Sequence, residues 1–185
     1  MKEEIYLNYE DLLIEADNNN LITKEKSLAA NAGRIKGNRI AINKDIPTQK
    51  EKACVLAEEL GHFYTSTGDI LDLTDTSNRK QEAKARFWAY NHLIGLHGII
   101  ACYKANHLLI NEMAEYLDVT EEFLKEALEC YNSKYGTAVR FDNYIIGFEP
   151  RLYVMELFQW LFHILPATIL KTQTFYFVEI FAHRL

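Results

Sequence analysis

The residues of this chain best suited to chemistry lie in one run, Glu58-Glu59-Leu60-Gly61-His62. It reads as the zinc-binding pattern His-Glu-x-x-His with its first histidine replaced by glutamate. On a helix, residues i and i+4 share a face. Positions 58 and 62 can therefore grip one ion while Glu59 serves as general base to a bound water. Cys54 lies one turn upstream on the same stripe, where its thiolate could act as a spare ligand. A third ligand must come from elsewhere in the fold. Glu82, 20 residues beyond His62 and near the start of a second helical run, is the best placed. The bland alternative is an acidic helix: Glu58 and Glu59 as a solvated face, His62 as a satisfied polar residue and Cys54 as a buried apolar filler.

The elements that must carry these residues are legible from spacing. Residues 5–17 read as a short helix, and Asn18-Asn19-Asn20 as a break. Residues 21–45 hold two short β-prone pieces, the second of them Arg39-Ile40-Ala41-Ile42-Asn43 after the turn-prone pair Gly37-Asn38. A hairpin or small meander is expected there. The helix carrying the motif starts with Pro47 near its first turn, has Ala53, Leu56, Ala57, Leu60 and Phe63 among its apolar positions, and stops near Gly68. A second amphipathic helix spans 77–94, more helices run to about 134, and residues 138–148 look extended.

Composition sets outer bounds. A chain of 185 residues, 49% hydrophobic and 25% charged, suits one globular domain, or one domain with an appendage. A net charge of −6 argues against a general nucleic-acid binder. Cys54, Cys102 and Cys130 form no disulfide framework or metal knuckle, and reduced thiols in a cytoplasm are expected. Met1-Lys2-Glu3-Glu4 lacks the apolar core of a signal peptide.

Residues from about 34 to 149 resemble the ImmA/IrrE family of zinc metallopeptidases, especially members carried by prophages and integrative elements of Firmicutes. The resemblance rests on Gly37-Asn38-Arg39-Ile40-Ala41-Ile42-Asn43 and on Lys52-Ala53-Cys54-Val55-Leu56-Ala57-Glu58-Glu59-Leu60-Gly61-His62. It continues through Gly68-Asp69-Ile70, Asn78-Arg79-Lys80-Gln81-Glu82, Ala85-Arg86-Phe87-Trp88-Ala89-Tyr90 and Asp142-Asn143-Tyr144-Ile145-Ile146. It implies a mostly helical α+β fold, with a short N-terminal hairpin or small sheet beside a zincin-like helix bundle. It implies a domain over 1–150 and leaves 151–185 as an aromatic-rich extension. It also implies site-specific cleavage of a helix-turn-helix transcriptional repressor, which relieves repression of a prophage or mobile element. Carried over by position, Glu59 is the general base, and Glu58, His62 and Glu82 are the metal ligands. Lys84 stands where the family usually has another glutamate.

The glutamate at 58 changes the charge arithmetic. Two carboxylates and a neutral histidine would cancel the charge of zinc, so a bound water would be acidified less. Oxygen-rich ligation also admits manganese. The expectation is a weak or slow peptidase, or one whose site is completed only with substrate bound. The other expectation is a degenerate relative that binds the repressor without cutting it.

Two further segments stand out. Met113, Ala114, Leu117, Val119, Phe123 and Leu124 follow the apolar spacing of a helix-turn-helix within 109–129. That segment carries seven acidic residues (Glu112, Glu115, Asp118, Glu121, Glu122, Glu126, Glu129) against Lys125 alone. Phosphate would be repelled, so the expected role is a packed helical pair, with docking of a basic repressor domain as the other reading. No direct nucleic-acid contact is expected. Beyond residue 150 the chain is rich in aromatics, but its uncharged run from Leu157 to Leu170 is only 14 residues long and contains Pro166. A membrane span needs roughly 20 apolar residues, so none is expected.

Overall fold

The fold is that of a computed structural model, which describes residues 6–65 and 75–157. The expected helix stop at Gly68, the aromatic tail past Leu157 and its two histidines, His163 and His183, lie outside the described residues.

Helix α1 runs Tyr9–Asn18 and starts later than the sequence suggests because Asn8 caps it. The Asn8 side chain accepts from the amides of Glu10 and Asp11, and the Asp11 carboxylate accepts from the Asn8 amide at 2.9 Å. This reciprocal box satisfies donors that the first helical turn leaves open.

Three strands follow, one more than expected: β1 (Ile22–Lys26), β2 (Gly33–Lys36) and β3 (Arg39–Asn43). The predicted turn at Gly37-Asn38 joins β2 to β3 as an antiparallel hairpin, with Gly37 at φ +59°. β1 pairs with β3 in parallel, so the order is β1-β3-β2. β3 is central and points the buried Ile40 and Ile42 toward the helices.

Helix α2 spans Gln49–Thr65. Pro47 stands just ahead of it, near the first turn as expected; Thr48 is the cap, its hydroxyl accepting from the Glu51 amide at 3.1 Å. Ala53, Leu56, Ala57 and Leu60 are buried, each large side chain contributing roughly 1.5–3 kcal/mol relative to exposure. Helix α3 spans Asp75–Leu93. Gly61 lets α2 and α3 approach closely, since a β-carbon there would overlap the carbonyl oxygen of Ala85.

Helices α4 (Gly95–Lys104), α5 (Ile110–Tyr116) and α6 (Glu121–Tyr135) complete the bundle. The helix-turn-helix spacing turns out to be core packing: Met113, Ala114, Leu117, Val119, Phe123 and Leu124 are all buried. Strands β4 (Ala138–Phe141), β5 (Tyr144–Gly147) and β6 (Tyr153–Glu156) form an antiparallel meander. β6 lies beyond residue 150, so the start of the extension adds a strand to the second sheet. The whole is α+β and mostly helical. Among the described residues no helix is long and apolar enough to cross a membrane.

Candidate active site

Helix α2 presents Glu58, Glu59 and His62 where it packs against α3 and the edge of the first sheet. His62 and Glu82, predicted as partners across the two helices, do meet: Nε2 of His62 lies 3.2 Å from Oε2 of Glu82. Two donors of the kind that hold zinc thus converge.

Glu59 turns the other way, toward β2. The backbone amide of Ile35 donates to its carboxylate. Gly33 on the same strand makes room for it, since a β-carbon at 33 would stand 2.8 Å from Glu59 Oε1 and 2.6 Å from Val55 Cγ1. Burial pushes the Glu59 carboxyl up to about 7, with the negative charges of Glu58 and Glu82 adding to the rise and the Ile35 amide opposing it. A carboxyl close to neutrality can both take and return a proton at working pH.

Glu58 lies on the face of α2 toward Arg86 of α3. Its carboxyl is also raised, first by burial; the Arg86 guanidinium opposes that rise, while Glu126 and Glu82 add to it. Arg86 Nε donates to Glu82 Oε1 at 2.9 Å. The Tyr90 hydroxyl donates to Glu126 Oε2 at 2.9 Å, bringing α6 to the same neighbourhood.

The donor types of Glu58, His62 and Glu82 suit zinc or a harder divalent ion. The arrangement unites two of the three. Among the described residues, no three His, Cys, Asp or Glu side chains form a group that could hold a metal ion. Cys54 lies away from the pair: its thiol is buried, hydrogen-bonded to Thr120 at the start of α6, and raised to about 11 chiefly by desolvation. Tyr64, two residues past His62, serves the α1 side instead. Its hydroxyl donates to Glu15 Oε1 at 3.0 Å and accepts from Asn19.

The residues missed from sequence are Arg86, Tyr90 and Glu126. Arg86 carried a signal, standing i+4 from Glu82, a spacing that pairs opposite charges on any helix. Glu126 was read as part of an acidic face. Much of that face has intramolecular partners: Lys50 binds Glu115 at 2.6 Å and stands 3.9 Å from Asp118. Lys125 binds Glu121, and Glu112 accepts from the amides of Leu108 and Leu109.

A family model, Peptidase_M78, described as the IrrE N-terminal-like domain, matches residues 5–129. No curated protein and no solved structure matches the chain.

Proposed function

We propose that this chain, which belongs to the Peptidase_M78 family of zincin-like metallopeptidases, is a metal-dependent endopeptidase whose substrate is a helix-turn-helix repressor of a prophage or mobile element. One observation carries the reading. Nε2 of His62 and Oε2 of Glu82 meet at 3.2 Å across α2 and α3, and Glu59, on the neighbouring position of α2, is half-buried with its carboxyl pushed up to about 7 mainly by burial.

Glu58, His62 and Glu82 would hold the metal, zinc or manganese, which supplies polarisation of the scissile carbonyl and acidification of the attacking water. Glu59 takes the proton from that water and returns it to the leaving amine. The Ile35 amide favours the charged carboxylate, and the absence of a side chain at Gly33 leaves room for it beside β2. The repressor assignment comes from the family resemblance.

A second reading, a relative that binds the repressor without cutting it, is favoured by Glu58 at the first ligand position and by the bond from Arg86 to Glu82. One experiment separates the two. Protein purified without chelators or a polyhistidine tag is analysed for metal, then incubated with the repressor encoded beside it. Cleavage by the metal-loaded protein, lost in Glu59→Gln at unchanged metal content, supports the peptidase. Repressor binding without cleavage supports the second reading.

A further inference from the structure

Arg86 stands among carboxylates from three helices. It bonds Glu82 Oε1 at 2.9 Å on its own helix and lies 3.9 Å from Glu126 Oε2 on α6. Glu58 on α2 attracts the same guanidinium, and the pull is mutual. His62 takes the other oxygen of Glu82 at 3.2 Å. Arg86 therefore engages Oε1 of Glu82, while Oε2 faces the imidazole that would share an ion with it.

We propose that the Arg86 guanidinium is the resident cation of the Glu82 and Glu126 carboxylates, with Glu58 within its field, and that a divalent ion taken up by Glu82 and His62 binds against its charge. The inference rests on the metal-dependent reading and concerns how that site is loaded.

A lone i,i+4 pair on a helix surface is worth little. Arg86 differs in facing acidic groups on two other helices and in sharing its glutamate with the imidazole. An arginine keeps its charge at any pH a protein survives. Its repulsion of an incoming dication is therefore relieved by movement alone. Arg86 has room to move, with 45% of its side chain exposed. That exposure also weakens the repulsion through solvent screening. Competition, rather than exclusion, is the result: the guanidinium and an incoming dication contend for the same carboxylates.

The test is a direct binding titration of zinc and of manganese into the full chain, with wild type, Arg86→Gln and Arg86→Lys compared and folding checked by thermal melts. Arg86→Gln is expected to bind zinc about tenfold or more tightly than wild type, since it removes a unit charge near the ion. Arg86→Lys, which keeps the charge but loses the planar fork, is expected to fall between them. Should Arg86→Gln not fold, an affinity for Arg86→Lys equal to or below wild type overturns the inference. Equal or weaker zinc binding by a folded Arg86→Gln also overturns it while leaving the metal-dependent reading intact. No zinc or manganese binding by any of the three removes that reading and this inference together.

Discussion

Gly61 and Ala85 touch with nothing between them but the hydrogens of one glycine. A β-carbon at 61 would overlap the Ala85 carbonyl oxygen, which is backbone and cannot rotate away. Gly61 adjoins His62, and Ala85 lies three residues beyond Glu82, so this contact sets the spacing across which the ligand pair meets. Gly61→Ala should force α2 and α3 apart, lowering stability by about 1–3 kcal/mol, the usual range for overpacking. It should also lower metal affinity in the same protein. Parallel melts and zinc titrations check both; a variant with wild-type affinity would show that the contact does not set the ligand spacing.

Glu58→His restores the more common ligand at the first position. It replaces a carboxylate with a neutral imidazole, leaving the bound ion with more of its charge and the attacking water more acidic. Zinc affinity and the cleavage rate near pH 7 should both rise, each by about tenfold. Affinity and rate both unchanged would mean that position 58 plays no part in holding the metal.

Gly33→Ala tests the support behind Glu59. The added methyl would sit 2.6 Å from Val55 Cγ1 and 2.8 Å from Glu59 Oε1. Its expected effect is a stability loss of about 1–3 kcal/mol and a fall in cleavage of about tenfold or more, through misplacement of the base. Metal content should stay at the wild-type level, because Glu59 holds a proton rather than the ion.

Lys52 and Glu25 give a prediction about acid. Lys52 is a buried lysine, 9% exposed, whose ammonium meets Glu25 of β1 at 2.7 Å. The hydrogen bond from Lys52 holds the Glu25 carboxyl below its ordinary value. A carboxyl lowered by folding adds stability above its unfolded value, and loses that contribution as the pH falls through the folded one. The link between β1 and α2 should therefore loosen below about pH 4.5. Glu25→Gln should make melting near neutral pH resemble the acid behaviour, costing roughly 1–3 kcal/mol because a buried ammonium loses its partner. Lys52→Met, which removes the charge and keeps the volume, should cost under about 1 kcal/mol. A flat stability profile from pH 6 to 3 in wild type would contradict this account, given the usual carboxylate range.

Local rules made much of the site legible. The i,i+4 spacing put Glu58 and His62 on one face, and the short interval to the next helix brought Glu82 to His62. Gly37 at φ +59° marked the hairpin. What escaped was non-local. The parallel pairing of β1 with β3 joins Thr23 to Ile40 across a connection that no short pattern encodes. Arg86 resembled any surface arginine pairing i,i+4, because its other neighbours come from α2 and α6. The packed helical pair expected over 109–129 was legible from its apolar spacing, but the pairing of Glu115 was not, because Lys50 lies 65 residues away in sequence. Charge patterns along a chain report composition, whereas neutralisation depends on which helices pack together.

Trp88 is stacked between the rings of Tyr64, with centroids 4.7 Å apart, and His92, at 4.4 Å. Tyr64 belongs to α2, while Trp88 and His92 belong to α3, and both flanking rings reach Glu15 on α1. The indole is thus an optical gauge built into the seam between the two site-bearing helices. Any separation of α2 from α3 unstacks it and changes the colour and yield of its emission. The chain has one other tryptophan, Trp160, so a Trp160→Phe background would let unlabelled protein report the opening of that seam in real time.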